Sequence, residues 1–124
     1  MSGAENNESE DTLTPEEIKN MTVEQLRAFR EKTLTIEWSM AKQDASQDDR
    51  RVAARAAIQA HQAILALGNA ELENIGDQLA ANGPALRKGT EELKSALKDI
   101  ESLKGTLGAV KAVLSVVGKI VSIA

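Results

Sequence analysis

The stretch "ANGPAL", residues 81–86, decides how this chain is folded on paper. Gly83 suits the left-handed residue just past a helix end. Pro84 cannot continue a hydrogen-bonded ladder but can open a new helix. The stretch therefore closes one helix at 82 and starts another at 85. Both flanking segments carry apolar residues at alternating spacings of three and four. Upstream these are Ala54, Ile58, His61, Leu65, Gly68, Leu72, Ile75 and Leu79. Downstream they are Leu93, Ala96, Ile100, Leu103, Leu107, Val110, Leu114, Val117 and Val121. The pattern predicts an antiparallel helical hairpin, about 47–82 and 85–123.

Two helix starts in nearly the same words lie further upstream, "LTPEEI" and "MTVEQL". Thr14 with Glu17, and Thr22 with Gln25, have the spacing of a capping box. Leu13 with Ile18, and Met21 with Leu26, flank them as hydrophobic staples. The two signals predict a short helix, 15–21, turning sharply into a longer one, 23–43. The longer one carries the seam Leu26, Phe29, Thr33, Ile36 and Met40. A turn is expected over 44–49, with Ser46 or Asp48 as the next cap.

The apolar faces are not uniform. Over 53–67 the segment is apolar across a wide arc, with Ala56, Ala57, Ala60, Ala63, Ile64 and Leu67 joining the seam. From Leu107 onward the C-terminal segment widens in the same way. A wide arc faces two neighbours and a narrow one faces one. Folding the hairpin at 83 brings Ile58 opposite Val110 and Ala54 opposite Leu114. The expected architecture is all-α. The 23–43 helix makes a three-helix bundle at one end, and a two-helix coiled-coil stalk, about 68–103, forms the other. Residues 13–124 form one bundle domain, and the polar residues 1–12 form a disordered acidic tail.

Composition narrows the function classes. The chain has no cysteine, so disulfides, thiolate catalysis and cysteine-based zinc sites are excluded. Net charge is −4, with Glu5, Glu8, Glu10 and Asp11 crowded at the start. Nucleic acid is therefore not an indicated partner. The acidic start does not resemble a signal peptide, which fits a cytoplasmic protein or export by another route.

The last twenty residues, 105–124, are the most apolar part of the chain. Lys111 falls mid-segment, and a central lysine costs roughly 2.5–3.5 kcal/mol on insertion. A single membrane span is therefore disfavoured. A polar stripe of Lys104, Gly108, Lys111, Ser115, Lys119 and Ser122 leaves one apolar side. That side, with Leu107, Val110, Val113, Leu114, Val117, Ile120 and Val121, would be bundle core, an oligomer face or a membrane-surface face. Gly108 with Ala112, and Gly118 with Ser122, have the spacing for close helix approach.

No constellation for catalysis, metal or cofactor stands out. The single histidine, His61, has no acidic residue three or four positions away, and it reads as a core or edge residue. Glu73 and Asp77 pair at i, i+4 without a nitrogen ligand. Arg50, Arg51 and Arg55 form the one basic cluster, partly offset by Asp48 and Asp49. Leu34, Trp38 and Ala41 lie off the seam and are candidates for partner binding, tryptophan being enriched in binding hot spots.

The sequence thus points to a non-enzymatic interaction or assembly protein, with a protein partner or further copies of itself. A membrane-surface protein using 105–124 is the alternative. A small acidic inhibitor or regulator of a macromolecule is the second alternative.

Overall fold

The computed structural model describes residues 13–100 and 102–123, so the expected tail, 1–12, lies outside the described residues. Five helices account for the fold: α1 (Pro15–Lys32), α2 (Ile36–Gln43), α3 (Gln47–Asn69), α4 (Leu72–Lys98) and α5 (Leu103–Val117). The protein is an all-α helical bundle, with no strand among the described residues.

The first capping box forms as read. The Glu17 amide donates to Thr14 Oγ1 at 3.1 Å, and the Thr14 amide donates to Glu17 Oε1 at 2.9 Å. The second does not, and no short helix 15–21 turns into a 23–43 helix. Thr22 is fully buried inside α1, where its hydroxyl donates to the Ile18 carbonyl at 2.8 Å. Ile18, Thr22, Leu26 and Phe29 make one continuous inward stripe. Burial of that stripe outweighs a local signal worth about 1 kcal/mol.

The chain instead breaks at Thr33–Leu34–Thr35. Thr35 caps α2, accepting from the Trp38 amide at 3.2 Å. This break shifts the phase of the helix. Ile36 and Met40, expected on the core seam, are exposed, and Trp38 turns inward to 2% exposure. Its ring meets Phe29 edge-to-face, centroids 5.6 Å apart. The next turn falls where expected, with Ser46 capping α3 by accepting from the Asp49 amide at 3.0 Å.

The hairpin at 83 does not form. The chain turns instead at Ala70–Glu71, both in extended conformation, and Lys19 Nζ holds the Ala70 carbonyl at 3.1 Å. Asn82, Gly83 and Pro84 lie inside α4. The Asn82 amide donates back to the Gln78 carbonyl at 2.9 Å, in the manner of a helix-interior side chain. Gly83 is buried against α1, where an added Cβ would sit 2.9 Å from Ile18 Cδ1. Gly89 plays the same part toward α5, 3.2 Å from Val113 Cγ2. At these two places glycine makes room for a side chain of the facing helix, and neither has the positive φ of a turn glycine. Thr90, further along α4, is buried mid-helix and its hydroxyl donates to the Arg87 carbonyl at 3.1 Å.

The long C-terminal helix is also divided. Asp99 is extended, and Ser102 caps α5 by accepting from the Gly105 amide at 3.0 Å. α5 stops at Val117, and 118–121 continue as turns and a bend rather than as helix.

The order of packing follows from these breaks. α1 lies against both α3 and α4, and α5 lies against the same two helices. α3 and α4 are joined by two residues yet share almost no direct contact. No two-helix stalk exists. Ala53, Ala56, Ala60 and Ala63 of α3 are buried beneath larger residues such as Leu26, Phe29, Val110 and Val113. Pairing small with large side chains fills space without voids.

Replacing Pro84 tests the continuous helix. Pro84 is exposed, and its ring removes the N–H that would reach the Ala80 carbonyl. Pro84→Ala should raise unfolding stability by roughly 1–3 kcal/mol in urea. A turn at this position would make the same change neutral or destabilising. Gly83→Ala should be tolerated better with Ile18→Val than alone, since valine lacks the δ-methyl that the new Cβ meets. A double-mutant cycle reads this as positive coupling.

Candidate functional site

α3 carries two apolar faces, and the bundle uses only one. The alanine-rich face, completed by Ile64 and Leu67, is inside. The three-four seam of Ala54, Ile58, His61, Leu65 and Gly68 is exposed along its whole length. Ile58 is 59% exposed and Leu65 51%. His61, expected in the core or at its edge, is on this outer face, and Ile58 does not meet Val110 in the core. Both faces have helical periodicity, so spacing did not rank them.

Beside this seam runs a groove shared with α1. One stretch, about 520 Å³, is lined by Arg27, Arg30, Leu34, Ala57, Ile58 and His61. A second, about 650 Å³, has Val23, Glu24 and Ala28 on one wall and Gly68 on the other. Arg27 and Glu31 line both stretches. A Cβ added at Gly68 would meet nothing within 4 Å. Both stretches are open and shallow; the first is mainly apolar, and the second is mixed, with Lys19 and Asn20 also on its α1 wall.

The candidate partner stripe Leu34, Trp38 and Ala41 is split. Leu34 stands at the α1–α2 turn, 86% exposed, and joins the α3 groove. Trp38 is in the core. Ala41 is half-buried and lines a separate cleft between α2 and the start of α5. Leu34 is thus brought to Ile58 rather than kept with Trp38. The missed signal is "TLT" at 33–35, where Thr35 has cap chemistry without the acidic partner of a capping box.

α2 is pinned by one side chain. Glu37 Oε1 accepts from Lys32 Nζ at 2.7 Å, and Glu37 Oε2 accepts from the Ile100 amide at 3.3 Å. These contacts tie the α1–α2 turn, and with it Leu34, to the α4–α5 connection. The Lys32 hydrogen bond, then that of Ile100, holds the Glu37 carboxyl below its ordinary value of 4.5.

The C-terminal face is mostly covered. Leu107, Val110, Val113, Leu114 and Val117 are buried, and Ile120 and Val121 are half-buried against the same core. Lys104, Gly108, Lys111, Ser115, Lys119 and Ser122 form the solvent-facing stripe that the sequence indicated. Gly108 and Gly118 are exposed, so the small-residue pairs make no helix contact at these glycines. No described helix is long and apolar enough to cross a membrane.

Among the described residues no three His, Asp or Glu side chains gather as a metal site. Glu73 and Asp77 are exposed. Arg51 lies 3.9 Å from Asp48, a long and solvated pair, and Arg50 and Arg55 are exposed.

Two measurements check this placement. Trp38 is the only tryptophan, so its emission should be blue-shifted and shielded from iodide, and should move to the red only on unfolding. Glu37 has a lowered folded value, so its contribution to stability is fully present above about pH 4.5 and is lost as pH falls through the folded value. Glu37→Gln should lower the urea midpoint at pH 7 and narrow its difference from wild type at pH 3.

Comparisons of the chain with protein-family models, with curated proteins and with solved structures found no match.

Proposed function

We propose that this protein is a non-enzymatic helix-binding module, acting through the outer seam of α3 and its groove with α1. The observation that carries the reading is the exposure of Ala54, Ile58, His61, Leu65 and Gly68 at coiled-coil spacing, with Leu34 across the groove. Scattered exposed apolar residues are ordinary on a protein surface. A seam at regular heptad spacing beside an open groove is the arrangement that takes a second amphipathic helix as i, i+3, i+4 and i+7 anchors.

Magnitudes limit the affinity. Fully covering a Leu or Ile is worth about 1.5–3 kcal/mol, and Leu34, Ile58 and Leu65 have half or more of that still to gain. Their sum is on the order of 3–6 kcal/mol, against an association cost of roughly 4–15 kcal/mol. The groove walls and charged flanks must supply the remainder. Binding in the micromolar range or weaker is expected, suited to a reversible contact.

The test is a titration of the ¹⁵N-labelled protein with a synthetic amphipathic helix carrying leucine at heptad spacing. Shifts should concentrate on 27–34 and 57–68. They should vanish in Ile58→Asp/Leu65→Asp, whose helix content and thermal midpoint stay near wild type because both residues are exposed. Shifts spread over α5, or none at all, would sink the reading.

A further inference from the structure

We infer that the cleft between α3 and the C-terminal end of α5 binds a phosphate group, held by Lys111 and Lys119. The inference is independent of the helix-binding reading above, which uses the other flank of α3.

Charge in the two walls of the cleft carries it. The chain has 19 acidic residues, yet none lies between Asp49 and Glu71 and none follows Glu101. These two acid-free segments cover most of α3 and all of α5, and the two helices pack side by side. Near the end of α5 they leave an open cleft of about 550 Å³. Its lining brings Gln59 of α3 together with Lys111, Ser115, Lys119 and Ser122, over Leu114. All five polar residues are exposed. Among the described residues, none of their side chains makes a hydrogen bond or an ion pair.

The chemistry of that lining selects the ligand. An ammonium group has three donors and no acceptor, and serine hydroxyls and a glutamine amide also donate. Lys111, Ser115 and Lys119 follow one another at i, i+4 and i+8, which sets them in one row. Each ammonium stands on a flexible arm, so both can turn toward one anion beside Ser115. Two lysines match the charge of a phosphomonoester, about −1.5 to −2 near neutral pH, and its three acceptor oxygens use more of these donors than a carboxylate does. The C-terminal end of a helix disfavours an anion. Here the carbonyls of Leu114, Val116 and Val117 already accept from the amides of 118–121, which blunts that effect. Both ammonium groups are in water and screened by salt, so inorganic phosphate should bind at roughly millimolar concentration.

The experiment titrates the ¹⁵N-labelled full chain with inorganic phosphate at fixed ionic strength, with acetate as the comparison anion. Shifts should concentrate on 111–123 and on Gln59, and phosphate should bind several-fold more tightly than acetate. Lys111→Gln/Lys119→Gln should weaken binding roughly tenfold. Its helix content and thermal midpoint should stay near wild type, because both side chains are exposed. Lys88→Gln/Lys94→Gln removes the same charge from the outside of α4 and should leave binding unchanged. Two further arms separate the sources of the phosphate: glycerol phosphate in solution, and phosphatidylcholine vesicles with or without phosphatidate. Saturable binding of glycerol phosphate without vesicle binding assigns a soluble phosphoester. Sedimentation with phosphatidate vesicles, lost in Lys111→Gln/Lys119→Gln, assigns a lipid headgroup. Equal affinity for acetate, shifts spread over lysines elsewhere in the chain, or equal losses in the two double variants overturn the inference. So does the absence of any response to phosphate.

Discussion

Ile18 Cδ1 packs directly over Gly83, 2.9 Å from where a β-carbon would sit, and the seating of α1 on α4 is arranged around that contact. It lets α1 settle against the middle of α4 rather than at its end. Keeping Gly83 and Pro84 inside a helix costs about 1 and 3 kcal/mol relative to alanine. The continuous helix in return lines up Ile75, Leu79, Leu86, Leu93 and Leu97 as buried residues, each worth about 1.5–3 kcal/mol. The burial term is the larger, so the local preference for a turn at 82–84 loses. With α4 unbroken, the reversal moves to Ala70–Glu71, and α1 and α5 become the two helices that bridge α3 and α4.

The same choice governs which face of α3 is left outside. α1 and α5 bring large residues, Leu26 and Phe29 from one and Val110, Val113 and Val117 from the other. A helix approached from both sides by such residues must offer small ones. Its alanine face goes inward, and Ile58 and Leu65 go out. The outer seam is thus what the core did not need. No metal-ligating cluster gathers among the described residues, but an apolar seam at helical spacing is left exposed. The helix-binding proposal rests on that surface.

Local signals were legible where the chain needs only its immediate neighbours. Thr14 with Glu17, Ser46 before α3, and the polar stripe through Lys111 and Lys119 are each satisfied by groups a few residues away or by water. Signals failed where a distant element intervened. Thr22 has cap chemistry, but Ile18, Leu26 and Phe29 around it are buried together by α3 and α4. Trp38 reads as off the seam only if the helix before it is continuous, and the Thr35 cap resets that phase. Of the surface described, Leu34, Ile58, His61 and Leu65 were visible as apolar or unusual residues. Their meeting in one groove was not, because it depends on a turn at 33–35 and on which face of α3 the core selected.

By itself the sequence determined that this chain is helical, that its core is aliphatic, where α1 and α3 begin, and that the apolar side of 105–124 needs covering. Tertiary structure alone decided where the chain reverses, how α2 is rotated, and which of two periodic faces of α3 meets solvent. The physical reason is that periodicity and caps set the energy of a helix to within a kilocalorie or so per signal. Which helix face is buried, and which glycine is a turn or a packing site, depends on several kilocalories of burial contributed by residues far away in the chain.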